Sequence, residues 1–155
     1  MSNGSGGIRW GALVCRVLGL VVFAAAFLLP AVKLNSGSAD SVVFPGWKCA
    51  SIALSQSVSL FGKSSPGGPS FQAILLTLSG WINILVPIVL LLSFWRALLM
   101  PRRVIGGFIV LCMAATWTLL AMEKLTPMIG HFLWIVGALV ILAPDVLCAK
   151  MGQQD

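Results

Sequence analysis

Ser79-Gly80-Trp81-Ile82-Asn83-Ile84-Leu85-Val86-Pro87 sets how the rest of this chain reads. It sits inside an apolar run over residues 71–95 that carries no charged side chain until Arg96. About 20 apolar residues suffice to cross a bilayer as a helix, so the run reads as a membrane span. Asn83 falls near its centre, where side-chain polarity is costly unless another helix answers it. Pro87 comes one turn later and has no N–H to offer the Asn83 carbonyl. The expectation is a polar knot at mid-span: an amide side chain beside a free carbonyl, with Ser79 one turn away on the same face. Ser79, Asn83 and Pro87 then have two possible uses. They hold a neighbouring helix at a bend, or they contact a ligand or ion where the helix is broken.

Reading outward from that run finds more of the same kind. Residues 10–32, 104–122 and 128–147 are also long and apolar. The expected fold is all-α: an integral-membrane four-helix transmembrane bundle, one membrane domain over residues 1–155, with spans at about 10–32, 71–95, 104–122 and 128–147. Composition points the same way. The 155 residues are 59% hydrophobic and 9% charged, with a mean hydropathy of +1.02, whereas soluble domains carry roughly 25% charged residues. No stretch is left over for a soluble domain. The first run, where Arg9 and Arg16 precede a long apolar stretch and Gly37-Ser38-Ala39 follows it, has the outline of a signal sequence. It exceeds the apolar core of about 7–15 residues that such a sequence carries, so an uncleaved first helix is expected. Small residues recur along two spans, at Gly11, Cys15 and Gly19 in the first and Gly107, Ala114 and Ala121 in the third. Such stripes let helices approach closely in lipid.

Residues 33–70 form the one long connection, a first outer loop. Its ends, Asn35-Ser36-Gly37-Ser38 and Ser64-Ser65-Pro66-Gly67-Gly68-Pro69, have loop composition. Between them Trp47, Leu54, Val58 and Phe61 share a helical face, with Lys48, Ser55, Gln56 and Ser59 largely off it. This fits a short amphipathic surface helix anchored by Trp47. Ser57-Val58-Ser59-Leu60 also alternates, which suits a short strand. Trp47, Cys49 and Phe61 mark this loop as a candidate partner-docking surface. Ser57 to Ser64 approaches a phosphate-binding loop, but Ser57 stands where its first glycine belongs, and a Pro-Gly-Gly-Pro turn follows where a helix should begin.

Basic residues set the expected orientation. With both termini inside, Arg9, Arg16, Arg96, Arg102, Arg103 and Lys150 fall on the inner side, and Lys33, Lys48, Lys63 and Lys124 on the outer. The Asn3-Gly4-Ser5 sequon would then be cytoplasmic and unused. No basic patch is interleaved with aromatics, so no nucleic-acid partner is expected.

Parts for chemistry are few. Cys15, Cys49, Cys112 and Cys148 contain no Cys-x-x-Cys pair, and three of them fall in apolar runs, as small buried residues do. His131, the sole histidine, has no His, Asp or Glu at ligand spacing and reads as an interfacial residue at the start of the fourth span. Arg16, Glu123 and Asp145 lie close to helix ends, with water access expected for Pro144 and Asp145. That argues against a proton-driven pump, which keeps an ionisable group within the span. A membrane enzyme would need Asn83, Thr116, Thr118 and His131 to converge. No metal, cofactor or catalytic residue is expected.

Pro45-Gly46-Trp47 in the loop, Trp81-Ile82-Asn83 in the second span and His131-Phe132-Leu133-Trp134 opening the fourth resemble small uncharacterised bacterial four-helix membrane proteins. The resemblance implies a topology and no activity. Gly46-Trp47-Lys48-Cys49 in a long first loop is similar to claudin-type proteins, but the second loop cysteine of that family is missing. The expected function is that of a non-catalytic interaction protein in the bacterial inner membrane, a small subunit or accessory factor among other membrane chains. The alternative is a small oligomeric transporter or channel using Asn83 and Pro87.

Overall fold

The computed structural model describes residues 4–34, 42–62, 70–95 and 98–151, with side chains from Trp10 onward except over 58–62 and 147–151. The elements run α1 (Gly4–Leu28), β1 (Pro30–Leu34), β2 (Val42–Pro45), α2 (Gly46–Gly62), α3 (Phe71–Leu92), α4 (Leu99–Met122), β3 (Thr126–Pro127) and α5 (Ile129–Met151). The fold is mostly helical. Four stretches, Trp10–Leu28, Phe71–Leu92, Leu99–Met122 and Ile129–Val146, are long and apolar enough to cross a membrane.

The helices pack as two pairs. α1 lies along α5, and α3 along α4, with sparser contact between the pairs. Gly19 and Gly137 make the first pairing possible. A Cβ on Gly137 would stand 2.5 Å from the Phe23 nitrogen and 2.9 Å from the Gly19 carbonyl oxygen. Only hydrogen fits there, so the two backbones touch. Gly11 meets nothing within 4 Å and Cys15 is exposed, so the expected stripe on α1 is used at Gly19 alone. On α4 the inward face is Gly106, Ile109, Cys112, Met113, Thr116 and Leu120. The Gly107, Ala114 and Ala121 stripe faces outward. The core where the pairs meet is built from Phe23, Ile82, Val86, Ile109, Cys112 and Ile141.

The bundle also carries a small sheet, which the all-α expectation omitted. Pro30 ends α1 at Leu28, short of the expected limit at residue 32, because it cannot continue the hydrogen-bond ladder and holds Leu29 out of the α region. Residues 30–34 then pair antiparallel with β2 on one side and β3 on the other. Val32, Val42, Val43 and Phe44 suit a pleated surface. The prolines Pro45 and Pro127 lie on the two outer strands, where a missing donor is tolerated.

Several boundaries shift for local reasons. α4 begins at Leu99 instead of 104, absorbing Pro101 and Arg102. Pro101 falls in the first turn, where no intrahelical N–H is needed. At its other end Lys124 takes φ 53°, the left-handed conformation usual for glycine. Leu125 N–H then donates to the Leu120 carbonyl at 2.9 Å and Lys124 N–H to Ala121 at 3.3 Å, while Leu125 packs on Leu120 with Ala31 and Val32. This is a Schellman stop, and it turns the chain into β3. α3 starts on Ser70, whose hydroxyl accepts from Ala73 N–H at 3.2 Å. It runs to Leu92 through Pro87, which is exposed.

Candidate functional site

Asn83 and Ser79 lie on the face of α3 turned toward α5 and α2. The side-chain oxygen of Asn83 accepts a hydrogen bond from the Trp134 indole N–H at 3.0 Å. The amide is thus answered by another helix, as its position requires. Trp134 is held in turn by two rings: Phe23 stacks on it at 6.4 Å and His131 at 5.7 Å. His131 meets the edge of Trp117 at 5.4 Å. It is 6% exposed, and its Nε2 has no hydrogen-bond partner among the described residues. In the first turn of α5, the position expected of an interfacial residue, His131 lies covered between two tryptophans.

These groups surround a cavity of about 220 Å3. Asn83, Ser79, Thr116, His131 and Trp134 line it, and the remaining wall is aliphatic or aromatic apart from Cys49. Three of the four polar residues that convergence required, Asn83, Thr116 and His131, do meet here. Thr118 does not: it is exposed, and its hydroxyl donates to its own helix at Ala114. Thr116 likewise donates to the Cys112 carbonyl at 3.0 Å. Pro87, beyond the cavity, is not among its lining residues.

α2 forms one wall of the cavity, and it docks with a different face from the one expected. Ala53 and Ser57 are buried, whereas Trp47 is 57% exposed. A Cβ on Gly80 of α3 would lie 2.8 Å from the Ala53 carbonyl oxygen, so α2 and α3 pack backbone to backbone. Ser57 donates to Ala53 at 2.9 Å and reaches the Thr77 carbonyl at 3.5 Å. The helix is therefore docked against its own bundle through small residues. An amphipathic pattern built on Trp47 and Leu54 hid this, because large residues dominate any hydrophobic periodicity. Phe61 and Val58 belong to α2, with side chains outside the described residues. Cys49 lines the cavity. Burial pushes its thiol above its ordinary value, partly offset by a backbone hydrogen bond.

The far end of the bundle holds a second polar cluster. Arg16 of α1 donates to Asp145 Oδ1 of α5 at 2.8 Å, and Arg102 of α4 stands 3.5 Å from the same oxygen. Asp145 is 5% exposed and Arg102 6%. The expected water access at Pro144 and Asp145 is corrected: both are buried, α5 continues through Pro144 to Met151, and two guanidinium groups replace the water. Spacing in sequence gave no sign of this, since the three residues come from three helices. Among the described residues no group of His, Cys, Asp and Glu could hold a metal ion. Arg9, Lys63, Arg96, Cys148 and Lys150, with the Asn3 sequon, lie outside what is described at side-chain level.

No protein family, curated protein or solved structure matches this chain.

Proposed function

We propose that this protein is a non-catalytic membrane protein that works by associating with other membrane chains, as a small subunit or accessory factor of a bacterial inner-membrane assembly. The outward face of α4 carries this reading. Gly107 meets nothing within 4 Å, and Ala114, Thr118 and Ala121 are exposed along the same side. Helices in lipid have little hydrophobic drive to associate, and they use small-residue faces to reach each other. Gly19 and Gly137 serve that purpose within the chain, and the α4 stripe offers the same surface to a neighbour. The polar groups at the cavity support the non-catalytic part. The Thr116 hydroxyl is engaged by its own helix and the Asn83 oxygen by Trp134.

Both termini are proposed to be cytoplasmic. In support, Arg16, Arg102 and Arg103 gather at the end of the bundle away from the sheet, and Lys33, Lys48 and Lys124 at the sheet end. The test is a photo-crosslinking residue in cells at Leu111, which is exposed on the same side of α4. A discrete adduct to another membrane chain, lost with Ala114→Phe, is the expected result. A chain that crosslinks only to lipid and purifies alone overturns the proposal.

The second reading, a small oligomeric transporter or channel, is favoured by the opening of Asn83 onto a cavity. Asn83→Leu in liposomes separates the two. Lost solute flux with the fold intact favours transport; lost assembly favours association.

A further inference from the structure

We propose that the cavity beneath α2 is a binding site for a neutral, ring-sized, largely apolar molecule bearing one oxygen that accepts a hydrogen bond from Asn83. The inference uses the same Asn83 cavity as the transport reading but requires no flux through it.

Four observations lead to it. No charged side chain lines the cavity, so an ionic ligand would be buried without a partner, which is strongly disfavoured. The size fits a substituted ring: a cavity of about 150 Å3 accepts benzene, and this one measures about 220 Å3. Phe27, Phe44, Trp134 and His131 give it aromatic walls. Beyond Ser79, Asn83, Thr116, His131 and Cys49 the lining is apolar, so most of an occupant's surface would meet carbon.

The head-group preference follows from the Asn83 amide. Trp134 can only donate, and it donates to the Asn83 oxygen at 3.0 Å. That fixes the flip of the amide and leaves the NH2 group as what Asn83 offers. An NH2 group selects an acceptor, a carbonyl or ether oxygen.

The test uses menthone and p-menthane, which share a ring and alkyl groups and differ by one carbonyl oxygen. Cys49 lines the cavity, and Cys15 is exposed on the outer face of α1. The full chain in detergent is alkylated with N-ethylmaleimide, and each cysteine is followed by peptide mass spectrometry. Menthone is expected to slow Cys49 at least fivefold and saturably, leaving Cys15 unchanged. p-Menthane should need about tenfold more for the same protection, the worth of one hydrogen bond. Asn83→Leu should make the two equal. Ala50→Phe, on the cavity wall away from the Asn83–Trp134 pair, should abolish protection by both, and it serves if Asn83→Leu fails to fold. Equal protection by the two molecules in the unaltered chain overturns the proposal. So does parallel protection of Cys15, which would mark micelle partition, or protection by 1-decanol as strong as by menthone, which would make the occupant an acyl chain.

Discussion

Trp134 and Asn83 join α5 to α3 through a single 3.0 Å hydrogen bond between the two otherwise weakly connected helix pairs. The bond lies beside the cavity, so the link between the pairs and the cavity wall are made of the same two side chains.

Trp134→Phe should keep the stacking on Phe23 and His131 while orphaning the Asn83 oxygen. The expected loss is about 0.6–2 kcal/mol, from the modest value of such bonds in membranes to the cost of an unmet acceptor. Reversible unfolding in mixed micelles measures it. A loss above that of Trp134→Ala would contradict the assignment.

Gly137→Ala should separate α1 from α5, because the new Cβ meets backbone atoms of Phe23 at 2.5 and 2.8 Å, which cannot swing aside. A cost of about 1–3 kcal/mol is expected. Gly11→Ala, with nothing within 4 Å, should be neutral or slightly stabilising in the same unfolding assay.

Asp145→Asn should be the most damaging single change at the far end. It leaves Arg16 and Arg102 buried with no counter-charge, for a loss of about 3–5 kcal/mol. Arg102→Met should cost much less, since the closer Arg16 to Asp145 pair at 2.8 Å survives and stays neutral overall. Chemical unfolding of the two variants side by side decides the order.

The Cys49 thiol is raised above its ordinary value by burial. At a given pH it therefore holds less thiolate than an unfolded cysteine, and alkylation at pH 7–8 should be slower than in the denatured chain. The folded state retains this proton where the unfolded state has lost it. Its contribution to stability thus falls as pH rises through the ordinary thiol range, and Cys49→Ala should flatten that decline. Denaturant midpoints at pH 7 and pH 10 for both chains provide the comparison.

The four long helices were legible because hydropathy over 20 residues needs no tertiary information. Asn83 was legible for the same reason, as a lone amide in an apolar run demands an explanation wherever the helix goes. What escaped depended on contacts between distant segments. Val32 reads as the tail of an apolar span until Phe44 and Pro127 are seen pairing beside it. His131 read as interfacial and Asp145 as water-accessible because both stand near helix ends. They are covered by Trp117 in one case and by Arg16 and Arg102 in the other. On α2 the packed face consists of Ala53 and Ser57, whose weak hydrophobicity makes them nearly silent in any periodicity.

The pairing of α1 with α5 has a consequence for biogenesis. A ribosome delivers α1 well before α5, so on the proposed membrane reading α1 must wait in the lipid, or beside an insertion factor, until α5 emerges. Shortening the chain before Gly137 would strand it there for good, and a nascent protein interrupted late should be a far better substrate for membrane quality control than its composition suggests.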